Sequence, residues 1–208
     1  MLICGAGGHA RELYHFFNDI IEEVCFFDNI NNVNYLEGNV VFDSFDEVQE
    51  IFKNDNRFIL GVGSSKARKY LYDMMMSCGG NLKSVQCKKT AIGYNPERMK
   101  GVDVFPFSCI GPNVEVGLGT LINTRVNIHH DSKIGSFCEI APGALVLGNV
   151  KIGDCTLIGA GAVVLPNVVI GNNVVVGAGA VVNQTIPDNS LAVGVPAILK
   201  DRSKSNTL

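Results

Sequence analysis

From Val104 onward, every sixth residue is isoleucine or valine: Val104, Ile110, Val116, Ile122, Ile128, Ile134, Ile140, Val146, Ile152, Ile158, Val164, Ile170, Val176 and Val182. All fourteen positions obey the rule, in a chain where these two residue types fill only 42 of 208 places. Chance does not produce that. A period of six is not helical, but it matches one flat side of a triangular coil, a short strand closed by a turn. Three sides make a coil of 18 residues, so the segment winds a little over four coils without insertion. The aliphatic residue points into the prism and stacks on its equivalents above and below. The next residue is glycine seven times, and the fourth one on is small or β-branched, from Ser108, Val114 and Thr120 to Ala180 and Ile186. A larger side chain beside the stack would overpack it. Pro112-Asn113, Gly148-Asn149 and Pro166-Asn167 have the composition of tight corners.

Residues 1–85 read differently. Leu2-Ile3-Cys4 is a short buried strand, followed by Gly5-Ala6-Gly7-Gly8-His9-Ala10. Leu13, Phe16, Phe17, Ile20 and Ile21 then recur at helical spacing, as a stripe facing the core. Val24 to Phe27 is a second strand, ending at Asp28-Asn29. Ser44 and Glu47 have capping-box spacing and open a short helix carrying Val48, Ile51 and Phe52. Phe58 to Gly63 is a further strand, and Ser65 to Cys78 a helix that stops at Gly79-Gly80. Strands alternating with helices predict a small Rossmann-like α/β domain with a parallel sheet over 1–85, joined to a β-helix over 86–208. Residues 86 to 103 form the less regular join.

The glycine turn fits G-x-G-x-x-A with an acid beyond the second strand, which is the dinucleotide fingerprint. Its physical content is broader: close backbone approach, and a helix N-terminus that favours phosphate. The unit is short for a full dinucleotide fold and no partner domain for hydride transfer follows it. A nucleotide-linked sugar is therefore favoured over NAD.

A net charge of −3 and the lack of any Lys/Arg-rich run argue against nucleic acid as a partner. Neither a signal-peptide pattern nor an apolar run of ~18 residues is present, which predicts a cytoplasmic protein without membrane insertion. Seven scattered cysteines (Cys4, Cys25, Cys78, Cys87, Cys109, Cys138, Cys155), none in a C-x-x-C pair, read as reduced structural thiols.

Of the four histidines, His15 lies off the apolar stripe and His9 sits in the glycine turn. His129-His130-Asp131 follows the interior Ile128. His130 falls at a corner with its side chain outward, followed directly by an acid, whereas the His129 ring should lie over the coil. Corner arithmetic places His130, Gly148 and Pro166 on one edge, and Pro142, Ala160 and Ala178 on another. Zinc-dependent β-helix enzymes gather three histidines; this repeat has two adjacent ones, so no metal is expected.

Gly5-Ala6-Gly7-Gly8-His9, the six-residue repeat, His130-Asp131-x-x-Ile134-Gly135-x-Phe137, Gly143-Ala144 and the closing Gly194-Val195-Pro196-Ala197 together resemble the hexapeptide-repeat sialic acid O-acetyltransferase and bacillosamine-type sugar acetyltransferase family. The pattern is most similar to enzymes that N-acetylate a nucleotide-linked 4-amino-4,6-dideoxy sugar for surface polysaccharide or glycan synthesis. Two positions depart from it: Asn29 stands where some members have a second acid, and Glu139 where some have a histidine.

The resemblance implies a left-handed parallel β-helix, a hand that the period alone does not set. It implies acetyl-CoA as co-substrate, a nucleotide-linked amino sugar as acceptor, and a homotrimer with CoA between neighbouring prisms. His130 would be the general base and Asp131 its orienting acid, with a backbone N–H stabilising the oxyanion. Gly5, Ala6, Gly7, Gly8, His9, Asp28, Asn29 and Gly63 would bind the sugar nucleotide, and Gly148, Ala160 and Ala178 the CoA. O-acetylation of sialic acid or a related sugar is the alternative activity. A catalytically inert scaffold would leave His130-Asp131 and the glycine turn without a purpose.

Overall fold

The chain divides into two compact units, the first Met1–Val85 and the second beginning at Gln86. The fold is a computed structural model that describes residues 1–17, 21, 23–31, 33–93, 99 and 101–201.

In the first unit, the apolar runs become the strands of a mostly parallel sheet. β1 (Leu2–Cys4), fully buried, lies between β2 (Cys25–Phe27) and β5 (Arg57–Leu60), in parallel register with both. β3 (Tyr35–Leu36) and β4 (Asn39–Phe42) form a hairpin that extends the β2 side, and β6 (Asn81–Leu82) extends the other, giving the order β3-β4-β2-β1-β5-β6. The predicted strands begin or end a few residues off: β2 starts at Cys25, and β5 stops at Leu60, leaving Gly61–Gly63 as loop.

α1 (Gly8–Phe17) buries Ala10, Leu13 and Phe17. Phe16, expected on that stripe, is 45% exposed, because it lies about 60° around the helix from Leu13. Ile21 is buried just beyond the helix, and Ile20 lies outside the described residues. α2 (Phe45–Phe52) opens with the capping box: Asp46 N–H donates to the Ser44 hydroxyl and Ser44 N–H to Glu47. α3 (Ser65–Ser77) ends at the expected glycines.

In the second unit, two-residue strands stack into three sheets, the sides of a parallel β-helix. Interior residues pair across coils at an offset of 18. One column runs Val104, Ile122, Ile140, Ile158, Val176. Ile110, Ile128, Val146, Val164 and Val182 form the second, and Val116, Ile134, Ile152 and Ile170 the third. None of these side chains is more than 6% exposed.

The same phase runs further upstream than the aliphatic repeat. Ala91–Ile92 pairs with Cys109–Ile110 and Gln86 bridges to Val104, so these upstream residues already lie on the coil. At the other end the period breaks. Ile186 bridges Ile170, and Leu191 pairs with Val175, both at an offset of 16. Ile186 therefore belongs to the interior column rather than to the small-residue position that a strict count of six gives it. Ile198–Lys200 then folds back antiparallel on Leu191–Val193.

Beside the aliphatic stack lie buried hydroxyls that would be costly if unpaired. Thr120, Ser132 and Thr156 donate to the carbonyls of Gly135, Leu147 and Gly171. Each also accepts the N–H of the residue 18 further on: Cys138, Val150 and Val174. Removing one hydroxyl leaves a buried N–H and a carbonyl without that partner, at about 1–3 kcal/mol.

The corners carry the left-handed backbone. Asn113, Gly119, Arg125, Asp131, Phe137, Gly143, Asn149, Cys155, Gly161, Asn167, Asn173 and Gly179, each three past an interior residue, all have φ between 52° and 71°. Asparagine, aspartate and glycine tolerate this conformation best. Asp131 is thus a corner residue by backbone geometry, and His130 is the last residue before the corner.

Candidate active site

The corner turns the neighbouring side chains of His130 and Asp131 outward together. Their Nδ1 and Oδ2 atoms lie 2.8 Å apart, and Asn113, one coil below, donates to Asp131 Oδ1 at 3.1 Å. These two bonds, that to His130 foremost, hold the Asp131 carboxyl below the usual carboxylate range. An ionised carboxylate only accepts, so Nδ1 of the neutral ring carries the proton and Nε2 presents its lone pair. That is the tautomer of a general base.

One coil above, Gly148 lies against the ring. A Cβ on Gly148 would stand 2.7 Å from both Cε1 and Nε2 of His130. Predicted as a CoA-binding residue, Gly148 has a more immediate contact: it makes room for the base. His130, Gly148 and Pro166 do share an edge, since Asn149 N–H donates to the His130 carbonyl and Asn167 N–H to that of Gly148. Ala160 and Ala178, both exposed, lie along the other predicted edge, with Gly161 N–H bonded to Pro142 and Gly179 N–H to Ala160.

Cys109, Gly111, Pro112, Asn127, Ile128, His129 and His130 line a shallow groove of about 230 Å³. His129, expected to lie over the coil, is among the residues that line the groove beside its neighbour. Cys109 there is exposed, unlike Cys4 and Cys138; burial raises both of those thiols, Cys138 to about 12. Among the described residues, no group of three His, Cys, Asp or Glu side chains could hold a metal ion.

The first unit has a pocket of its own, about 340 Å³, at the carboxyl ends of β1, β2 and β5. In open α/β sheets, ligands bind at such ends, where the strand order reverses. Gly5, Gly7, Gly8, His9, Asp28, Asn29 and Gly63 all line it. Ala6 does not; it is buried and donates its N–H to Asp28. Ile30, Val62, Ser64 and Tyr70, which no sequence motif marks, are among the other residues that line it. Gly61-Val62-Gly63 before a helix was the signal available for that second loop.

Two helix N-termini, of α1 and α3, open at this pocket through Gly7, Gly8, Gly63 and Ser64. Neither helix has an acid in its first turn, and the Ser64 side chain does not cap α3. Both ends therefore offer positive potential and N–H groups to an anion. Gly5 has φ +117°, and a Cβ there would meet the Gly61 carbonyl at 2.7 Å, so the fold itself requires this glycine. At Gly7 and Gly8 an added Cβ meets nothing within 4 Å, which leaves that face of the turn open for a ligand.

Burial, then the charge of Arg68, pushes the His9 pKa from 6.5 down to about 4. Arg68 is itself fully buried and donates to the carbonyls of Leu60 and Val62. The unfolded chain takes up a proton at His9 near 6.5 that the folded one refuses until about 4. Stability is therefore complete above the unfolded value and is lost as pH falls through that window, by about 3 kcal/mol. Melting curves between pH 7 and 4 should show a shallower acid-side decline in His9→Gln than in wild type; parallel declines would contradict the burial.

Similarity to known proteins covers both units. The PglD N-terminal domain family matches residues 1–75, and the bacterial transferase hexapeptide (six repeats) family matches residues 149–184. The structure is similar to a mutant of perosamine N-acetyltransferase from Caulobacter crescentus in complex with CoA and GDP-perosamine, with TM-score 0.88, 27% identity and 96% of each chain covered. It is also similar to the acetyltransferase domain of PglB from Neisseria gonorrhoeae in complex with acetyl coenzyme A, with TM-score 0.84, 25% identity and coverage of 96% of this chain and 98% of that one. WeeI from Acinetobacter baumannii matches with TM-score 0.79, 26% identity and the same coverage. These matches support the bacillosamine-type sugar acetyltransferase family for the chain.

The histidine–acid pair lies on the β-helix and the glycine-lined pocket on the Rossmann-like unit. No helix among the described residues is long and apolar enough to cross a membrane.

Proposed function

We propose that this chain transfers the acetyl group of acetyl-CoA to the 4-amino group of a nucleotide-linked 4-amino-4,6-dideoxy sugar. The observation that carries the reading is the His130–Asp131 pair, with Nδ1 bonded to the acid and the opposite nitrogen available over Gly148. Its likeness over 96% of the chain to an enzyme crystallised with CoA and GDP-perosamine supports the choice of both substrates. Gly5, Gly7, Gly8, His9, Asn29 and Gly63 hold the nucleotide end; Asp28 and Ala6 brace the loops around it. Ala160 and Ala178 give the pantetheine arm an edge without bulk.

The amine nitrogen attacks the thioester carbonyl carbon, and His130 Nε2 accepts the proton that it sheds. Asp131 holds the ring in the productive tautomer and stabilises the imidazolium. The C–S bond then breaks, and the departing CoA sulfur takes back the proton. No acyl-enzyme is formed. Base catalysis of this kind contributes roughly a hundred- to ten-thousand-fold.

The groove beside His130 is shallow, and a homotrimer would close it with a neighbouring prism, in keeping with the preference for closed symmetry. Light scattering should give three times the chain mass; a monomer at micromolar concentration would contradict that part of the reading. The activity itself is tested by release of the CoA thiol from acetyl-CoA, with UDP-, dTDP- and GDP-linked 4-amino sugars and free sialic acid as acceptors. Release should depend on a nucleotide-linked amino sugar. Release with sialic acid alone would replace the reading with O-acetylation.

A further inference from the structure

Within the glycine-lined pocket, Asp28 is the one carboxylate among the described lining residues. It is 7% exposed, and both of its oxygens are engaged within the chain. Oδ2 accepts from Ala6 N–H and the Asn31 side-chain amide, each at 2.9 Å; Oδ1 accepts the backbone N–H groups of Ile30 and Asn31, also at 2.9 Å. Four bonds fill the acceptor sites of a carboxylate. Burial alone would raise this group, but the bonds from Asn31, Ile30 and Ala6 outweigh it and keep Asp28 ionised. Asp28 is thus a brace between the glycine turn and the loop after β2, with no acceptor capacity to spare for a ligand.

The loop that Asp28 braces presents other groups. Asn29 is exposed, and among the described residues its side chain has no hydrogen-bond partner. Ile30 is 85% exposed and Tyr70, across the pocket on α3, 49% exposed. Two large apolar side chains left in water at the mouth of one pocket suit the faces of a flat ring, and stacking on such groups contributes about 1–3 kcal/mol per base.

We infer that this pocket selects a pyrimidine nucleotide, uridine or thymidine diphosphate, over guanosine diphosphate. The inference rests on the nucleotide-sugar reading above. Uracil and thymine present one N–H between two carbonyl oxygens, which a primary amide such as that of Asn29 matches with one acceptor and one donor. Guanine presents two adjacent donors, and needs a second acceptor that the filled Asp28 does not supply. A donor that stacking takes out of water without a partner is heavily penalised.

Titration calorimetry of the full chain with UDP, dTDP, GDP and ADP tests this. UDP or dTDP should bind at least tenfold more tightly than GDP and ADP. Asn29→Asp, which supplies a free carboxylate, should narrow the gap to GDP, and Tyr70→Ala should weaken every nucleotide. GDP or ADP binding as tightly as UDP would overturn the inference and leave the nucleotide-sugar reading standing. Failure of all four to bind would sink that reading along with it.

Discussion

His130→Ala lowers kcat by about a hundred-fold or more, with the melting temperature and acetyl-CoA affinity close to wild type. The side chain is 60% exposed, so removing it costs the fold little. What is lost is the lone pair that takes the amine proton, an interaction made in the transition state rather than in the ground state. Asp131→Asn should cost less. Asparagine fits the left-handed corner, as Asn113 and Asn149 already do, and its oxygen can still accept from Nδ1. The negative charge that stabilises the imidazolium is gone. His129→Ala should be mildest of the three, because the contact that ties residue 129 to the coil is its backbone N–H, bonded to the Val146 carbonyl. Equal losses at both histidines, or an unimpaired His130→Ala enzyme, would place the base elsewhere.

Gly148→Ala should be nearly as damaging, by displacement rather than by loss of the base. The φ of Gly148 lies outside the left-handed region, so alanine is compatible with the backbone. The new Cβ would lie 2.7 Å from Nε2, at the nitrogen that must accept the proton. The imidazole, free on its solvent side, swings away and gives up its bond to Asp131. A misplacement of about 1 Å can cost a hundred-fold in rate. The expected result is a fall in kcat of that order with the melting temperature unchanged. A loss of acetyl-CoA affinity at constant kcat would instead make Gly148 a donor contact, the role suggested by the family resemblance.

These two residues show where sequence stops being informative. The period of six yields the stack at Val104 to Val182, the corners, and the alignment of His130 with Gly148, because each is a matter of counting. Counting cannot show that the His130 ring folds back over Gly148, since that depends on a rotamer set by the bond to Asp131. The same limit applies at the ends of the repeat. Gln86 lacks the aliphatic signature yet pairs with Val104, and Ile186 holds an interior place because the last coil is two residues short.

In the first unit, the apolar strands and the capping box of α2 were legible, while the Tyr35–Phe42 hairpin was not. Tyr35 and Val40 are exposed, so no clean alternation marks its strands. Of the fingerprint, Gly5, Gly7, Gly8 and His9 line the pocket. The fingerprint gave Asp28 the look of a ligand-binding acid, whereas four internal hydrogen bonds make it a brace.

Transfer of acetyl to an amine by the His130 site leaves its mark in the chemistry of the product. Wild-type protein and His130→Ala would each be incubated with acetyl-CoA and a nucleotide-linked 4-amino-4,6-dideoxy sugar, and the products treated with hydroxylamine before mass spectrometry. Wild type should form a singly acetylated sugar that survives hydroxylamine, as an amide does, and His130→Ala should form almost none. An acetyl group that hydroxylamine removes would mark an ester and contradict the account, as would equal product from both proteins.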